Sequence, residues 1–111
     1  MGRYQLGELE ELVLLTVAIL QDEAYGNAIA TDLKERVGRK VSIGSLQTVL
    51  KRLEQKGHLS SAFGAATKVR GGKRKKIYTL TNFGRQSLED KRQERQNLWD
   101  VLGGGFQPVL D

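Results

Sequence analysis

Side chains that can pair with nucleic acid are concentrated on one face of a predicted helix. On a helical wheel of about 100° per residue, the polar face of this helix holds small, amide, hydroxyl and cationic residues: Gly44, Gln47, Thr48, Lys51, Arg52 and Gln55. Gln, Thr, Lys and Arg form hydrogen bonds with base edges and with phosphate oxygens. An ordinary solvated helix face is the alternative interpretation of the same pattern.

The segment after this helix carries four consecutive cations, Lys73–Lys76, directly after the glycine pair at 71 and 72. Because successive strand residues point to opposite faces, all four can be solvated only where a hairpin projects beyond the core. A projecting basic hairpin can straddle phosphates or enter a minor groove. Protection of a strand edge against aggregation is the alternative, although four cations in a row exceed what such protection needs.

Positive charge is confined to the middle of the chain. Residues 42–86 carry ten cations and one acid, whereas residues 1–41 and 87–111 each have a net charge of −2 within a chain of 111 residues and net charge +5. A polyanionic partner would therefore meet one side of the molecule and not its average surface.

Composition excludes several other classes of protein. With no cysteine and one histidine, the chain has no disulfide, thiolate metal site or imidazole cluster, and we expect neither a metal nor a cofactor. The longest apolar run, Leu12–Leu20, is interrupted by Thr16 and is far below the roughly 20 residues of a membrane span. The acidic start lacks a signal-peptide pattern, so we expect a cytoplasmic protein with no membrane contact.

No group of residues indicates an enzyme. His58 follows the predicted helix cap Gly57 with no carboxylate or nucleophile beside it, and we expect a simple turn residue. The paired acids Glu10 and Glu11 suit the positive end of a helix dipole. The glycine triplet at 103–105 lacks the lysine and the preceding strand of a phosphate-binding loop.

Hydrophobic periodicity predicts a mainly α fold with a small β-hairpin. The first helix spans Glu8–Gln21 and is apolar on more than one side. The second begins near Tyr25 or Gly26 and ends at the left-handed cap Gly38, with an inner stripe of Ile29, Ala30, Leu33 and Val37. The third follows the N-cap Ser42 and ends at Lys56, with one apolar face formed by Leu46, Val49, Leu50 and Leu53.

Two strands and a long last helix complete the prediction. The strands cover residues 59–63 and 75–80, the hairpin tip covers residues 64–74, and Phe63 is expected in the core. Thr81 caps a helix over residues 82–102 that is polar in its middle and apolar at its far end. Such a small domain has a modest core, so we expect this helix to cross to a second subunit and pack against that subunit's first helix.

Four local patterns in order make the chain resemble the PadR family of bacterial transcriptional repressors over roughly residues 5–102. They are LGELEELVLLTVAIL, AYGNAIATDLKERVGRKVSIGSL, LKRLEQKGHL and GGKRKKIYTLTNFGR. The resemblance implies a winged helix-turn-helix body, a C-terminal dimerisation helix and operator binding as a homodimer. It also implies that the region of Gly26, Gly44, Ser45 and Lys51 faces DNA.

The chain departs from the pattern of that family in two places. Gln47 and Thr48 stand where the family usually has tyrosine and proline, and Asn27 stands where a second aromatic residue often follows Tyr25 and Gly26. The tyrosine commonly contacts a phosphate, so Gln47 either replaces that contact or reads a base. A single C-terminal helix resembles the shorter branch of the family, which has no large effector-binding domain.

We therefore predict a winged helix-turn-helix DNA-binding domain at 1–80, a dimerisation helix at 81–102 and a flexible tail at 103–111. Base contacts are assigned to Ser45, Gln47, Thr48 and Lys51. Phosphate contacts are assigned to six cations: Arg52, Lys68, Arg70, Lys73, Arg74 and Lys75. Five further residues complete the predicted DNA-binding surface: Gly26, Asn27, Ser42, Gly44 and Gly72. The predicted dimer interface contains Leu9, Leu12, Leu88, Arg95, Leu98, Trp99 and Leu102.

Two alternatives stay open at this point. Trp99 is a candidate for stacking with a small aromatic effector, and its other interpretation is an anchor of the dimer interface. A winged-helix module that binds nucleic acid by shape, or that serves as a protein adaptor, is the alternative to a sequence-specific repressor, since phosphate attraction carries no sequence information.

Overall fold

The computed structural model describes residues 5–64 and 74–107. The elements follow in the order α1 (Glu8–Leu20), α2 (Gly26–Val37), α3 (Ile43–Gln55), β1 (Leu59–Phe63), β2 (Lys76–Leu80) and α4 (Asn82–Leu102), with a single 3₁₀ turn between α1 and α2. The predicted mainly α fold with one antiparallel hairpin is confirmed, and its boundaries differ by a residue at most. In the described ranges, no helix is both long and apolar enough to cross a membrane.

Local hydrogen bonds determine where the helices begin and end. The Ser42 hydroxyl accepts from the N–H of Ser45 at 3.1 Å, and the Thr81 hydroxyl accepts from the N–H of Gly84 at 3.0 Å. Each such N-cap stabilises its helix by about 1 kcal/mol. Gly38 ends α2 at a φ of 69°, which favours glycine because it has no Cβ. All three caps agree with the sequence prediction.

The core lies where α1, α2 and α3 meet, and the hairpin covers one side of it. Its fully buried side chains include Leu14, Ile29, Leu33, Leu46, Leu50 and Leu53. The prediction that Val37 and Phe63 lie in the core is wrong. Val37 is exposed because it is the last residue of α2, where the chain turns away at Gly38. Phe63 is 61% exposed because it ends β1, at the opposite end of the strand from the buried Leu59.

The hairpin is attached to the start of α2. Its register pairs Leu59 with Leu80 and Phe63 with Lys76. On the other edge of β2, the N–H of Tyr78 donates to the carbonyl of Ala24 at 2.8 Å. The Tyr78 side chain is buried as well, so the base of the hairpin is held firmly against the helices.

In the described part of α4, the buried residues that pack on the body lie at the beginning of the helix. Leu88 is buried in the core of its own chain, and the α4 backbone at Gly84 lies so close to the His58 carbonyl that a Cβ would collide with it. Past Leu88, no residue of α4 within the described ranges is buried. At its far end Leu98 is 73% exposed and Val101 is 88% exposed. This apolar end of α4 lacks a covering surface within the described part of the subunit.

A buried carboxylate joins α1 to the end of α3. Glu10 accepts hydrogen bonds from the N–H of Gly7 at 2.8 Å and from Lys56 Nζ at 3.1 Å, and Arg52 lies 4.0 Å away. Burial raises the pKa of Glu10, but these hydrogen bonds and the two positive charges outweigh it and keep the pKa below its usual value. The carboxylate is therefore ionised and holds the two helices together.

His58 is buried, contrary to the expectation of a simple turn residue. Its ring stacks on Phe83 of α4 with the centroids 4.7 Å apart, and neither ring nitrogen forms a hydrogen bond within the described residues. Burial lowers the pKa of His58, as does the nearby charge of Lys56, against an opposite effect of Glu10. The sequence does not reveal this position, because α4 covers the ring from a distant part of the chain.

We predict that His58 makes the folded state sensitive to mild acid. Because its pKa is lower in the folded than in the unfolded state, the unfolded chain binds a proton first as the pH falls below about 6.5. The free energy of unfolding should therefore be constant above that value and decrease below it, by up to about 1.4 kcal/mol per pH unit and subunit. Urea unfolding at fixed protein concentration between about pH 7.5 and about pH 5.5 measures this slope.

The assignment has an internal control because the chain contains one histidine. His58→Leu should abolish the slope, and it removes two unsatisfied polar atoms from the core. A slope that persists unchanged in His58→Leu would contradict the assignment.

Candidate nucleic-acid interface

Burial of one face of α3 turns its other face outward. Leu46, Val49, Leu50 and Leu53 are buried, and the predicted contact residues of the helix are all exposed: Gly44, Ser45, Gln47, Thr48, Lys51 and Arg52. A rotation of α3 about its axis would bury unpaired polar groups at a cost of several kcal/mol. The polar face is therefore held toward solvent by the core and not by contacts of its own.

The exposed face of α3 is low in profile and rich in hydrogen-bonding groups. A Cβ placed on Gly44 would meet no atom within 4 Å, so a ligand could approach the backbone there. The Thr48 hydroxyl donates to the carbonyl of Gly44 at 3.1 Å and keeps its acceptor capacity. Gln47 forms no hydrogen bond with any residue in the described ranges, and its amide can both donate and accept.

The cations of α3 differ in how far they are neutralised. Lys51 forms no ion pair with a described residue. Arg52 lies 4.0 Å from the Glu10 carboxylate, and Lys56 contacts the same carboxylate at 3.1 Å. Lys51 is therefore the α3 cation most available to an external anion, with Arg52 partly engaged and Lys56 committed to the fold.

The basic hairpin is described only at its base. Lys68, Arg70, Gly72 and Lys73 lie outside the described residues, as does most of the predicted tip at 64–74. Arg74 Nε donates to the carbonyl of Gly64 at 2.9 Å, closing the base of the hairpin. Lys75 Nζ lies 3.8 Å from the centroid of the Tyr25 ring, a cation–π contact that keeps its charge beside α2.

The start of α2 completes the same surface. Gly26 and Asn27 open this helix, Asn27 is exposed, and a Cβ on Gly26 would lie 2.9 Å from Gln47 Nε2. The predicted surface residues of α2 and α3, with Ser42 between them, are thus adjacent. The sequence does not predict the contact between Tyr25 and Lys75, because residues 50 positions apart in sequence give no periodic signal of contact.

A second surface lies between α1 and α4. A groove of about 460 Å³ is bordered by Leu15, Leu88, Arg92 and Trp99 among others. Arg95 Nη2 lies 3.4 Å from Glu11 Oε1 across it. Leu15 and Ile19 of α1 are exposed on this side, whereas the predicted interface residues Leu9 and Leu12 pack partly against the core of their own chain.

Trp99 lies at the far end of this groove and is 56% exposed. The ring of Phe106, from the tail after α4, meets it edge to face with the centroids 5.9 Å apart. Leu98 and Leu102 border a neighbouring depression with both rings. Leu98, Trp99 and Leu102 therefore form one apolar surface that the described part of the chain leaves open, whereas the predicted interface residue Arg95 is paired with Glu11 of α1.

Comparison with known proteins agrees with this architecture. The family model for the transcriptional regulator PadR-like family matches residues 14–90. A PadR family transcription regulator from Clostridium difficile is 35% identical with a TM-score of 0.64, and the match covers 82% of this chain and 93% of that one. A PadR-like transcriptional regulator from Bacillus cereus is 27% identical over 86% of this chain and 92% of that one, with a TM-score of 0.64.

Another similar structure is that of Bacillus subtilis PadR in complex with operator DNA. It is 22% identical with a TM-score of 0.62, and the match covers 94% of this chain and 51% of that one. At this identity the similarity shows the shared fold alone. A comparison with curated protein sequences found no match. Together, the family match over residues 14–90 and the similar structures show that the chain belongs to the PadR-like family of transcriptional regulators, which are not enzymes.

Proposed function

We propose that this regulator is a repressor that binds a pseudo-palindromic DNA operator as a homodimer in the cytoplasm. The observation that carries the proposal is the outward polar face of α3, where Gln47, Thr48 and Lys51 are exposed beside the basic hairpin. A helix with such a face fits the major groove, and the cations of the hairpin suit the flanking phosphates. The operator complex of Bacillus subtilis PadR supports the proposal by analogy of fold.

A homodimer would cover the exposed apolar surface at the far end of α4. Leu98, Trp99 and Val101 are exposed, and burying each would contribute roughly 1.5–3 kcal/mol. The exposed Leu15 and Ile19 of α1 offer a matching surface on a second copy. Two recognition helices placed about 34 Å apart would then meet successive major grooves of a symmetric site.

The groove beside Trp99 suggests how a ligand could release the operator. A planar aromatic molecule that stacks on the half-exposed indole would lie at the proposed subunit boundary. It would change the angle between the two DNA-binding domains of the dimer. The other role of Trp99 is an interface anchor. Carboxylates and guanidinium groups both border the groove, so aromatic cations and phenolic acids are both suitable probes.

We predict that α3 and the basic hairpin contribute differently to operator binding: α3 sets the sequence preference, and the hairpin raises the affinity for any duplex. Gln47→Ala should change the sequence preference, because the amide faces the proposed base edges. Lys73→Ala combined with Arg74→Ala should weaken binding to every duplex and lower the salt slope by about 0.9 for each phosphate that the variant no longer neutralises. Duplexes selected from a random pool, followed by titrations at several salt concentrations, measure both effects.

The matched control removes two cations elsewhere, with Lys34→Ala and Lys91→Ala, and should leave the salt slope nearly unchanged. If random duplex displaces the wild-type protein as readily as selected duplex does, the molecule is a shape-binding module. If Gln47→Ala keeps full discrimination, the assignment of α3 as the reading helix is wrong.

The dimer should depend on the far end of α4. Leu98→Glu introduces a charge into the proposed apolar interface and should weaken dimerisation about a hundredfold, with a parallel loss of operator affinity. Sedimentation equilibrium measures the association. Gln93→Glu adds the same charge on the opposite side of α4 and should leave the dimer intact. A Leu98→Glu protein that stays dimeric at micromolar concentration would contradict this interface.

The effector should act through Trp99, the one tryptophan of the chain. Titration with an aromatic cation or a phenolic acid should quench indole fluorescence in a saturable way and lower operator affinity at least several-fold. In Trp99→Ala the operator affinity should no longer respond to the ligand. An equal ligand response with and without the indole would end the proposal of a Trp99 pocket.

A further inference from the structure

Gly26 lies against the side chain that is best placed to read a base. A Cβ on Gly26 would come within 2.9 Å of Gln47 Nε2, closer than real Cβ contacts allow. The φ of Gly26 lies outside the left-handed region, unlike that of Gly38 or Gly57. The backbone therefore does not require glycine here, and the feature that matters is the space left by the missing side chain.

The backbone around Gly26 cannot easily retreat from Gln47. The carbonyl of Ala24 accepts from the N–H of Tyr78 at 2.8 Å, and the carbonyl of Tyr25 accepts from the N–H of Ile29 at 2.9 Å. Lys75 also contacts the Tyr25 ring. A methyl group at position 26 would consequently be accommodated by movement of the Gln47 side chain and not of α2.

The Gln47 amide has nothing else in the described ranges to orient it. It forms no hydrogen bond there, and it is exposed on the outer face of α3. A glutamine amide offers one donor and one acceptor side by side, which match N7 and the N6 amino group of adenine in the major groove. If the backbone at Gly26 did not lie beside it and restrict its rotamers, such an amide would lose more side-chain entropy on binding.

We propose that Gln47 reads an adenine in each half-site and that Gly26 is a positioning residue. Because Gly26 has no side chain, the Gln47 amide can occupy the position from which it contacts the base. This inference rests on the proposed operator binding. It also makes Gly26 and Gln47 a matched pair, so that a change at position 26 alters sequence preference through the Gln47 side chain.

A double-mutant cycle tests the pairing. Wild type, Gly26→Ala, Gln47→Ala and the double variant are titrated with the selected operator and with duplexes in which one base pair at a time is replaced. In wild type, replacing one A·T pair in each half-site should lower affinity about tenfold or more. Gly26→Ala should reduce this discrimination to about twofold, and the double variant should match Gln47→Ala alone.

Modified DNA gives a test that does not depend on the folding of the position 26 variant. Replacing the adenine by 7-deazaadenine removes the N7 acceptor, and it should weaken wild-type binding while leaving Gln47→Ala binding unchanged. Gly26→Ala should unfold at the same or a higher temperature than wild type, since alanine favours helix. Thr31→Ala, at an exposed position of α2, controls for substitution in this helix and should keep the full preference.

The outcomes separate the two proposals. If wild type shows no preference for any duplex, sequence-specific operator binding itself fails. If wild type discriminates but Gly26→Ala keeps that discrimination, or if the loss persists in the Gln47→Ala background, Gly26 does not act through Gln47. A Gln47-dependent preference for a G·C pair, or insensitivity of wild type to 7-deazaadenine, would overturn the assignment of adenine.

Discussion

Burial of the apolar stripe of α3 is the constraint on which the proposed interface depends. Leu46, Leu50 and Leu53 are fully buried and Val49 nearly so, and each contributes roughly 1.5–3 kcal/mol. No single contact on the outer face of α3 approaches that sum, so the core decides which residues meet solvent. Thr48 and Lys51 owe their exposed position to leucines on the far side of the helix.

Other contacts connect this orientation to the rest of the molecule. The ionised Glu10 joins α1 to the end of α3 through Lys56, and the backbone at Gly84 presses α4 against the His58 carbonyl. The residues just after α3 thus support α4, the helix that we propose to form the dimer. Since Glu10 and the backbone at His58 connect α1, α3 and α4, we propose that a ligand near Trp99 acts on operator binding by changing the angle of α4 and, through it, the position of α3.

The sequence predicts most of the architecture because the relevant signals are local. Ser42, Thr81 and Gly38 act as caps through their immediate neighbours, and the stripe of α3 follows helical periodicity. The errors concern tertiary context. His58 is covered by α4, and Phe63 lies at the end of β1, away from the core. Val37 is the last residue of α2, one turn after the buried Leu33. The approach of Gly26 to Gln47 has no signal in a single sequence, since it depends on how two helices cross.

A crystal structure of the protein bound to its selected duplex would show directly which element meets the bases. We expect α3 in the major groove, with an atom of the Gln47 amide within about 3.5 Å of a base edge and Lys51 on the same side of the helix. A complex in which DNA contacts only the basic hairpin, while the polar face of α3 points to solvent, would contradict this expectation.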